Sequence, residues 1–268
     1  MNTDFLRIIC SSTNDRYELF LSTARRLGTS VQNIEKDFWV TFLLDLLFNG
    51  RNESEPRLLF KGGTSLSKSY GLISRFSEDI DITVFREDID QKIEVNLLEN
   101  LSGKKQRAHL ESIKNACQKY IGGSLKDRLN LQIKSIFNEA GVPFVEPLII
   151  NDPSDADQQT LLLLYPSVNL ASDDYIKPMV KIEAGAKSAL DPHRITSVKP
   201  YIAHDTVDLN LSVPNVVTID AERTFWDKVV ILHGLRRWHD NRGVLRQKGH
   251  RISRHYYDIY KLIRSPIG

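Results

Sequence analysis

The sequence predicts an α+β fold, a mixed sheet flanked by helices with a helical region at its C-terminal end. Three observations predict it. Apolar residues recur at three- and four-residue spacing near both ends of the chain, the pattern of amphipathic helices. Short strand-like runs punctuated by Pro, Asn and Asp occupy the stretch from about 145 to 205. Between these regions, "RLLFKGGTSLSKSYGLISRFSEDIDITVF" reads as strand, Gly-Gly turn, short helix and second strand.

Taken in order, "DRYELFLSTARRLG" and "QNIEKDFWVTFLLDLLFNG" are helices, each closed by glycine. "RLLF" is a short buried strand, and after Gly62-Gly63 the hydroxyl of Thr64 is placed to cap a helix running to about Tyr70. "DIDITVF" is the next strand. From Glu87 to about Gly141 the pattern is helical, in two pieces separated by Gly122-Gly123. Strands follow in "VEPLIIND", "TLLLLYPSV", "PMVKIEAG" and "RITSVKPYIAHD". Asp220 is placed to cap a last helical section, "AERTFWDKVVILHGLRR", a basic loop from about Trp238 to Gly249, and "SRHYYDIYKLIR". The expected division is residues 1–218, holding the sheet and the N-terminal helices, and 219–268, helical and basic.

With 268 residues the chain buries a sizeable core, and 41% hydrophobic with 26% charged residues is ordinary globular usage. No segment approaches the roughly 18 apolar residues of a membrane span. The first twenty residues lack the basic and apolar regions of a secretion signal. Cys10 and Cys117 lie far apart, without metal-ligand or redox spacing. These features fit a cytoplasmic protein without a membrane partner. The net charge of +2 is unevenly spread. Residues 221–268 carry 11 Lys and Arg against 4 Asp and Glu, while the rest of the chain carries 25 against 30. Such asymmetry fits a polyanion partner at one end of the molecule, or a solvated helical face.

The chemistry concentrates in residues 60–84. On a strand, residues i and i+2 share a face, so Asp79 and Asp81 project together while Ile80, Ile82 and Val84 turn into the core. Two adjacent carboxylates repel and are costly to desolvate, and a divalent cation resolves both problems. Mg²⁺ suits all-oxygen ligands and keeps positions open for substrate phosphates. The Gly62-Gly63 junction lets backbone N–H groups approach phosphates closely, and Thr64 and Ser65 add hydroxyl donors.

In this order and spacing, the glycine turn and the Asp-x-Asp strand resemble the nucleotidyltransferase superfamily of DNA polymerase β and the tRNA CCA-adding enzymes. More narrowly, "KGGTSLSKSYGLISRFSEDIDI" is similar to the AbiEii/AbiGii toxin family, which includes the MenT toxins. "IEKDFWVT" at 34–41, "ERTFWDKVVILHGL" and "RISRHYYDIYKL" resemble further segments of that family, so the likeness covers about 30–85 and 216–262. It implies a polymerase β-like nucleotidyltransferase core using an NTP and a pair of Mg²⁺ ions.

The resemblance assigns Asp79 and Asp81 to the metal ions and matches Lys228 to the family's motif lysine and Asp258 to its closing aspartate. The family's usual Glu-Lys is Asp227-Lys228 here. A third carboxylate is expected from a neighbouring strand, and Glu183 in "MVKIEAG" is the candidate, sharing a face with Lys181. Gly62, Gly63, Thr64, Ser65, Lys68, Arg75 and Ser77 are the expected nucleotide contacts. Each assignment has a plainer reading: Glu183 as a solvent-facing strand residue, Lys228 as a snorkelling surface lysine, Asp258 as the helical partner of Arg254. Glu35, Lys36 and Asp37 read mainly as a charged, solvated helix start. Arg236, Arg237, Arg242, Arg246, Lys248, Arg251 and Arg254, with Trp238, suit contact with an RNA backbone and base stacking.

The resemblance implies a toxin of a bacterial toxin–antitoxin pair that transfers an NMP to RNA. The tRNA 3′ end is the expected acceptor, translation stops, and a cognate antitoxin is the partner. Growth arrest or phage defence is the implied role. Transfer to a protein or small molecule, and a catalytically silent nucleotide- or RNA-binding module, are the alternatives.

Overall fold

The computed structural model describes residues 2–93, 97–98, 100–168, 178–245 and 252–268. Three helices open the chain: α1 (Asp4–Ile9), α2 (Thr13–Leu27) and α3 (Val31–Phe48). Ser12 and Ser30 cap α2 and α3, accepting from the backbone N–H groups of Asp15 and Asn33. Helix α3 is apolar on nearly every side because it is buried on nearly every side, with Phe38, Phe42, Leu43 and Leu46 fully enclosed. It is the helix around which the rest of the molecule is assembled, and it packs on the sheet at β5 and β7.

The sheet is built from β1 (Leu58–Lys61), β2 (Ile80–Val84), β3 (Ile149–Asn151), β4 (Thr160–Leu164), β5 (Met179–Gly185), β6 (His193–Val198) and β7 (Val213–Ile219). Their spatial order is β3-β4-β5-β2-β1-β7-β6. β1 runs antiparallel to β2 and parallel to β7, while β2 runs parallel to β5. The sheet is therefore mixed, as expected. One register matters most: Lys61 lies opposite Asp81, and Asp81 lies opposite Glu183. Cross-strand partners share a face, so these three side chains form one row over three strands.

Between β1 and β2 sits α4 (Gly62–Lys68), and between β2 and β3 lie α5 (Gly103–Tyr120) and α6 (Lys126–Ala140). The expected break at Gly122-Gly123 is a π-helical turn over Ile121–Leu125, with Gly123 outside helical geometry. After β7 come α7 (Ala221–Arg242) and α8 (Ile252–Ile263). A small second core of Leu66, Ile73, Ala221 and Leu262 fastens this C-terminal pair to α4 and the loop behind it.

Several local expectations are corrected. Thr64 lies inside α4 rather than capping it, and Lys61 stands at the cap position without a side-chain bond to the helix. Asp220 precedes α7, but its carboxylate is committed to Arg194 at 2.6 and 2.5 Å instead of capping the helix. The expected loop after Trp238 starts later, because α7 continues to Arg242. "YIAH" is a 3₁₀ turn, not the end of a strand. Strand β7 is an addition to the strands the sequence pattern predicts: Pro214 and Asn215, the latter at φ 60°, interrupt its alternation. Among the described residues no helix is long and apolar enough to cross a membrane.

Candidate active site

The two glycines have separate physical reasons. Gly62 adopts φ 80°, a left-handed conformation, and a Cβ there would collide with Asp81 Oδ2. At Gly63 a Cβ would collide with the Arg75 guanidinium. The turn is thus pressed against the carboxylate on one side and the arginine on the other. Thr64 and Ser65 are buried, and their hydroxyls point inward. Thr64 Oγ1 donates to the Asp79 carbonyl at 2.5 Å and pairs with Ser77 Oγ at 2.8 Å. Ser65 Oγ donates to the Gly62 carbonyl at 2.9 Å. These three hydroxyls brace the turn and strand against each other.

Beside the turn lies a cleft of about 540 Å³, a size suited to a small ligand. It is lined by Lys61, Gly62, Gly63 and Asp81 of the β1 turn and β2, by Lys187, Ser188 and Ala189 after β5, by Arg223, Thr224, Asp227, Lys228, Val230 and Ile231 of α7, and by His255 of α8. Strand alternation puts Asp79 on the same side of β2 as Asp81, since Ile80 and Ile82 between and beyond them are fully buried. Burial pushes the Asp81 carboxyl up to about 7, and the negative charges of Glu183 and Asp79 add to the shift against the opposing pull of Lys61 and Lys228. Glu183 is 45% exposed at its side chain and ion-pairs with Lys181 at 3.0 Å. Lys61 Nζ donates to Ser188 Oγ at 2.7 Å.

Asp258 is fully enclosed and holds two cations. Arg75 grips it with two parallel bonds of 2.7 Å, and Lys228 Nζ lies 2.9 Å from Oδ2. Burial opposes ionisation of Asp258, but Arg75 and Lys228 outweigh it and hold the carboxyl below the usual range. The alternative pairing of Asp258 with Arg254 is replaced by these longer-range contacts. Lys228 is likewise no surface lysine; it is buried, on the α7 face formed by Ala221 and Thr224.

The structure does not bring every expected residue to the cleft. The ammonium of Lys68 is buried against the Asp37 carboxylate, donates to the Lys199 carbonyl at 3.1 Å and sits 4.1 Å over the Tyr201 ring. Arg75 reaches Asp258 and the back of Gly63. On α7, Arg237 and Arg242 are exposed, Arg242 lies 3.9 Å over the Trp238 ring, and Arg236 pairs with Asp240 at 2.8 Å. Arg254 is half-buried on α8. Arg246, Lys248 and Arg251 lie outside the described residues.

Glu35, Lys36 and Asp37 are buried inside α3, which overturns their reading as a solvated helix start. Each ties down a different segment. Glu35 accepts from Ser167 Oγ and the Val168 N–H, both at 2.7 Å. Lys36 pairs at 2.8 Å with Glu78, the neighbour of Asp79. Asp37 takes Lys68 and the Tyr201 N–H, the latter at 2.7 Å. The central helix thereby anchors α4 and the start of β2, the two elements that carry the glycines and aspartates. Lys61, Lys187, Ser188 and His255 line the cleft without having been singled out. For Lys61 the available signal was its place directly before Gly62-Gly63; for the others it was only proximity to Glu183 and Asp258 along the chain.

Among the described residues no group of three or more His, Cys, Asp or Glu is arranged to hold a metal ion unaided. The donor chemistry nevertheless fits an oxygen-preferring divalent cation. Asp81 offers hard carboxylate oxygens where burial and the negative charges of Glu183 and Asp79 oppose its ionisation, and Asp79 stands two residues away along the chain. Such an ion completes its shell with water and substrate oxygens.

A family model described as "Nucleotidyl transferase AbiEii toxin, Type IV TA system" matches residues 45–268. The match takes in the middle of the chain, where the motif likeness had lapsed, and begins after "IEKDFWVT". Among solved structures the chain is similar to MenT4, a nucleotidyltransferase toxin from Mycobacterium tuberculosis, at 17% identity and a TM-score of 0.45. That likeness covers 79% of this chain and 58% of the MenT4 chain. No curated protein sequence matches.

Proposed function

The chain belongs to the AbiEii family of nucleotidyl transferase toxins of type IV toxin–antitoxin systems, and from that premise we propose that it transfers an NMP from an NTP to RNA, with the tRNA 3′ end as acceptor. The observation that carries this reading is the row Lys61–Asp81–Glu183 beside a glycine turn closed against Asp81. Asp79 and Asp81 would hold the divalent cation, Mg²⁺ by donor type. When bound, the ion neutralises the triphosphate and favours ionisation of the attacking hydroxyl.

The chain's own groups do the rest. Lys61 and Lys228, facing the cleft, meet phosphate oxygens as point charges, and the side-chain-free backbone at Gly62-Gly63 admits the phosphates closely. Glu183, half-exposed beside Asp81, takes the proton of the acceptor hydroxyl. That oxygen forms a bond to the α-phosphorus, the bond from the α-phosphorus to the bridging oxygen breaks, and pyrophosphate leaves. Asp258 touches no reacting atom; it fixes Lys228 and Arg75 against the glycine turn.

The acceptor reading rests on the C-terminal helices. Arg237, Arg242 and Trp238 lie along exposed α7, and Arg264 lies 4.8 Å over the Tyr260 ring of α8. Cations paired with aromatic rings on the two C-terminal helices, which also carry Lys228 and His255, suit a single-stranded RNA end. Modification of the tRNA end would block aminoacylation and translation, consistent with growth arrest or phage defence in the cytoplasm and with neutralisation by a cognate antitoxin.

The test is incubation of the protein with Mg²⁺, total tRNA and each α-labelled NTP in turn, beside an Asp79→Ala control. Label in tRNA that disappears with Asp79→Ala is the expected result. Label in protein or a small product instead would replace the acceptor, and nucleotide binding without any transfer would leave a silent binding module.

A further inference from the structure

Several polar groups of the cleft have no part in this chemistry, and one of them is unpaired. His255 lies on α8 one turn before Asp258, and its ring belongs to the same wall as Lys228. Its Nδ1 is buried without a hydrogen-bond partner among the described residues. Buried polar atoms in native proteins are almost always paired, so an unpaired one at a cleft wall points to a group that arrives with the ligand.

The surroundings define that group. Burial first, then the positive charge of Lys228, hold the His255 imidazole below its ordinary range against the pull of Asp258, with Arg75 adding a smaller push in the same direction as Lys228. The ring is therefore neutral, with one N–H donor and one nitrogen acceptor. A neutral ring adds little to the grip on a triphosphate, which Lys61 and Lys228 already serve. On α7, Val230 and Ile231 line the same cleft with side chains left 67% and 43% exposed. Arg223, Thr224 and Asp227 make the rest of that α7 wall polar, so Val230 and Ile231 are its apolar patch. An apolar patch on the same wall as a neutral hydrogen-bonding ring matches a flat, apolar-faced ligand that carries donors and acceptors on its edge.

We propose that His255 is the base-reading residue of the nucleotide cleft, hydrogen-bonding the edge of the incoming nucleobase while Val230 and Ile231 pack against its face. The inference rests on the nucleotidyl-transfer reading and adds the part of the substrate that His255 recognises. It makes His255 a determinant of which NTP is used rather than of how fast the bond forms.

The experiment measures kcat and KM for all four NTPs with the full chain, its His255→Ala and His255→Gln variants, and direct NTP binding by calorimetry without acceptor. His255→Ala is expected to raise KM and Kd for the preferred NTP about 10-fold, the worth of one hydrogen bond to a ligand. Its kcat should stay within about twofold and its preference among the four bases should flatten. His255→Gln, which keeps a donor and an acceptor, should recover part of the preference. A fall in kcat with KM and base preference intact would overturn the proposal in favour of proton transfer, and unchanged constants would overturn it outright. Failure of the unmodified protein to transfer any NMP would remove the transfer reading. A His255-dependent base preference in the calorimetry would then still uphold the contact.

Discussion

Asp81 lines the cleft, partly buried, and Asp258 is enclosed behind Lys228 of the cleft wall; the fold treats these two carboxylates in opposite ways. Asp258 receives an arginine by two bonds and a lysine by a third, and its carboxyl is driven down. Asp81 receives burial and the repulsion of Glu183 and Asp79, and its carboxyl is driven up to about 7. The difference teaches where the molecule is finished and where it awaits something. A buried charge with its counter-charges built in fixes architecture, and here it joins α8, α7 and the Arg75 loop to the glycine turn. Carboxylates left underneutralised are a cost to folding that a ligand cation turns into affinity.

The sharpest way to break the comparison is to remove one charge from each side. Asp81→Asn should lower the transfer rate on the order of 10³-fold, the scale of losing a principal electrostatic group. Its thermal stability should be equal to or above that of the unmodified protein, because a repulsion disappears. Loss of both activity and stability would show Asp81 to be structural. Asp258→Asn should do the reverse. Two buried cations lose their counter-charge, and unfolding in urea should show a loss of about 3 kcal/mol, the scale of halving a buried ion pair. A loss under about 1 kcal/mol would mean that solvent already carries that charge.

Smaller in size but sharper in sign is the pH dependence. The folded pKa of Asp81 is raised above the unfolded value of about 3.9, so the native state binds the extra proton between about pH 4 and 7. Stability should fall as pH rises through that window in metal-free buffer. Asp258 is depressed, so its contribution is present above about pH 4 and lost as pH falls through its lower folded value. Melting temperatures of the unmodified protein and Asp81→Asn from pH 4 to 8 isolate the first effect. A decline of equal slope in both proteins would detach it from Asp81.

The same contrast explains what could be read in the sequence. The glycine turn and the strands bearing Asp81 and Glu183 were legible as structure because strand alternation and turn chemistry are local, and the helices bearing Lys228 and Asp258 because their apolar periodicity is. What hid was pairing across the chain. Lys68 looks like an exposed end of a short helix until α3 brings Asp37 beneath it. Asp258 has an arginine one helical turn away in Arg254, yet the fold delivers Arg75 from more than 180 residues upstream. The triplet Glu35-Lys36-Asp37 has the composition of a solvated helix start and is buried, because each member has a partner supplied by another element. Thr64 carries a hydroxyl suited to phosphate and spends it on the Asp79 carbonyl.

The most direct test of the central claim is a calorimetric titration of Mg²⁺ into the protein at pH 7 with a non-hydrolysable NTP, in two buffers of different ionisation enthalpy. Binding accompanied by proton release, with both the proton release and most of the affinity lost in Asp81→Asn, is the predicted result. Equal Mg²⁺ affinity in the two proteins, without proton release in either, would contradict it, and the raised carboxylate of Asp81 would then have no cation to explain it.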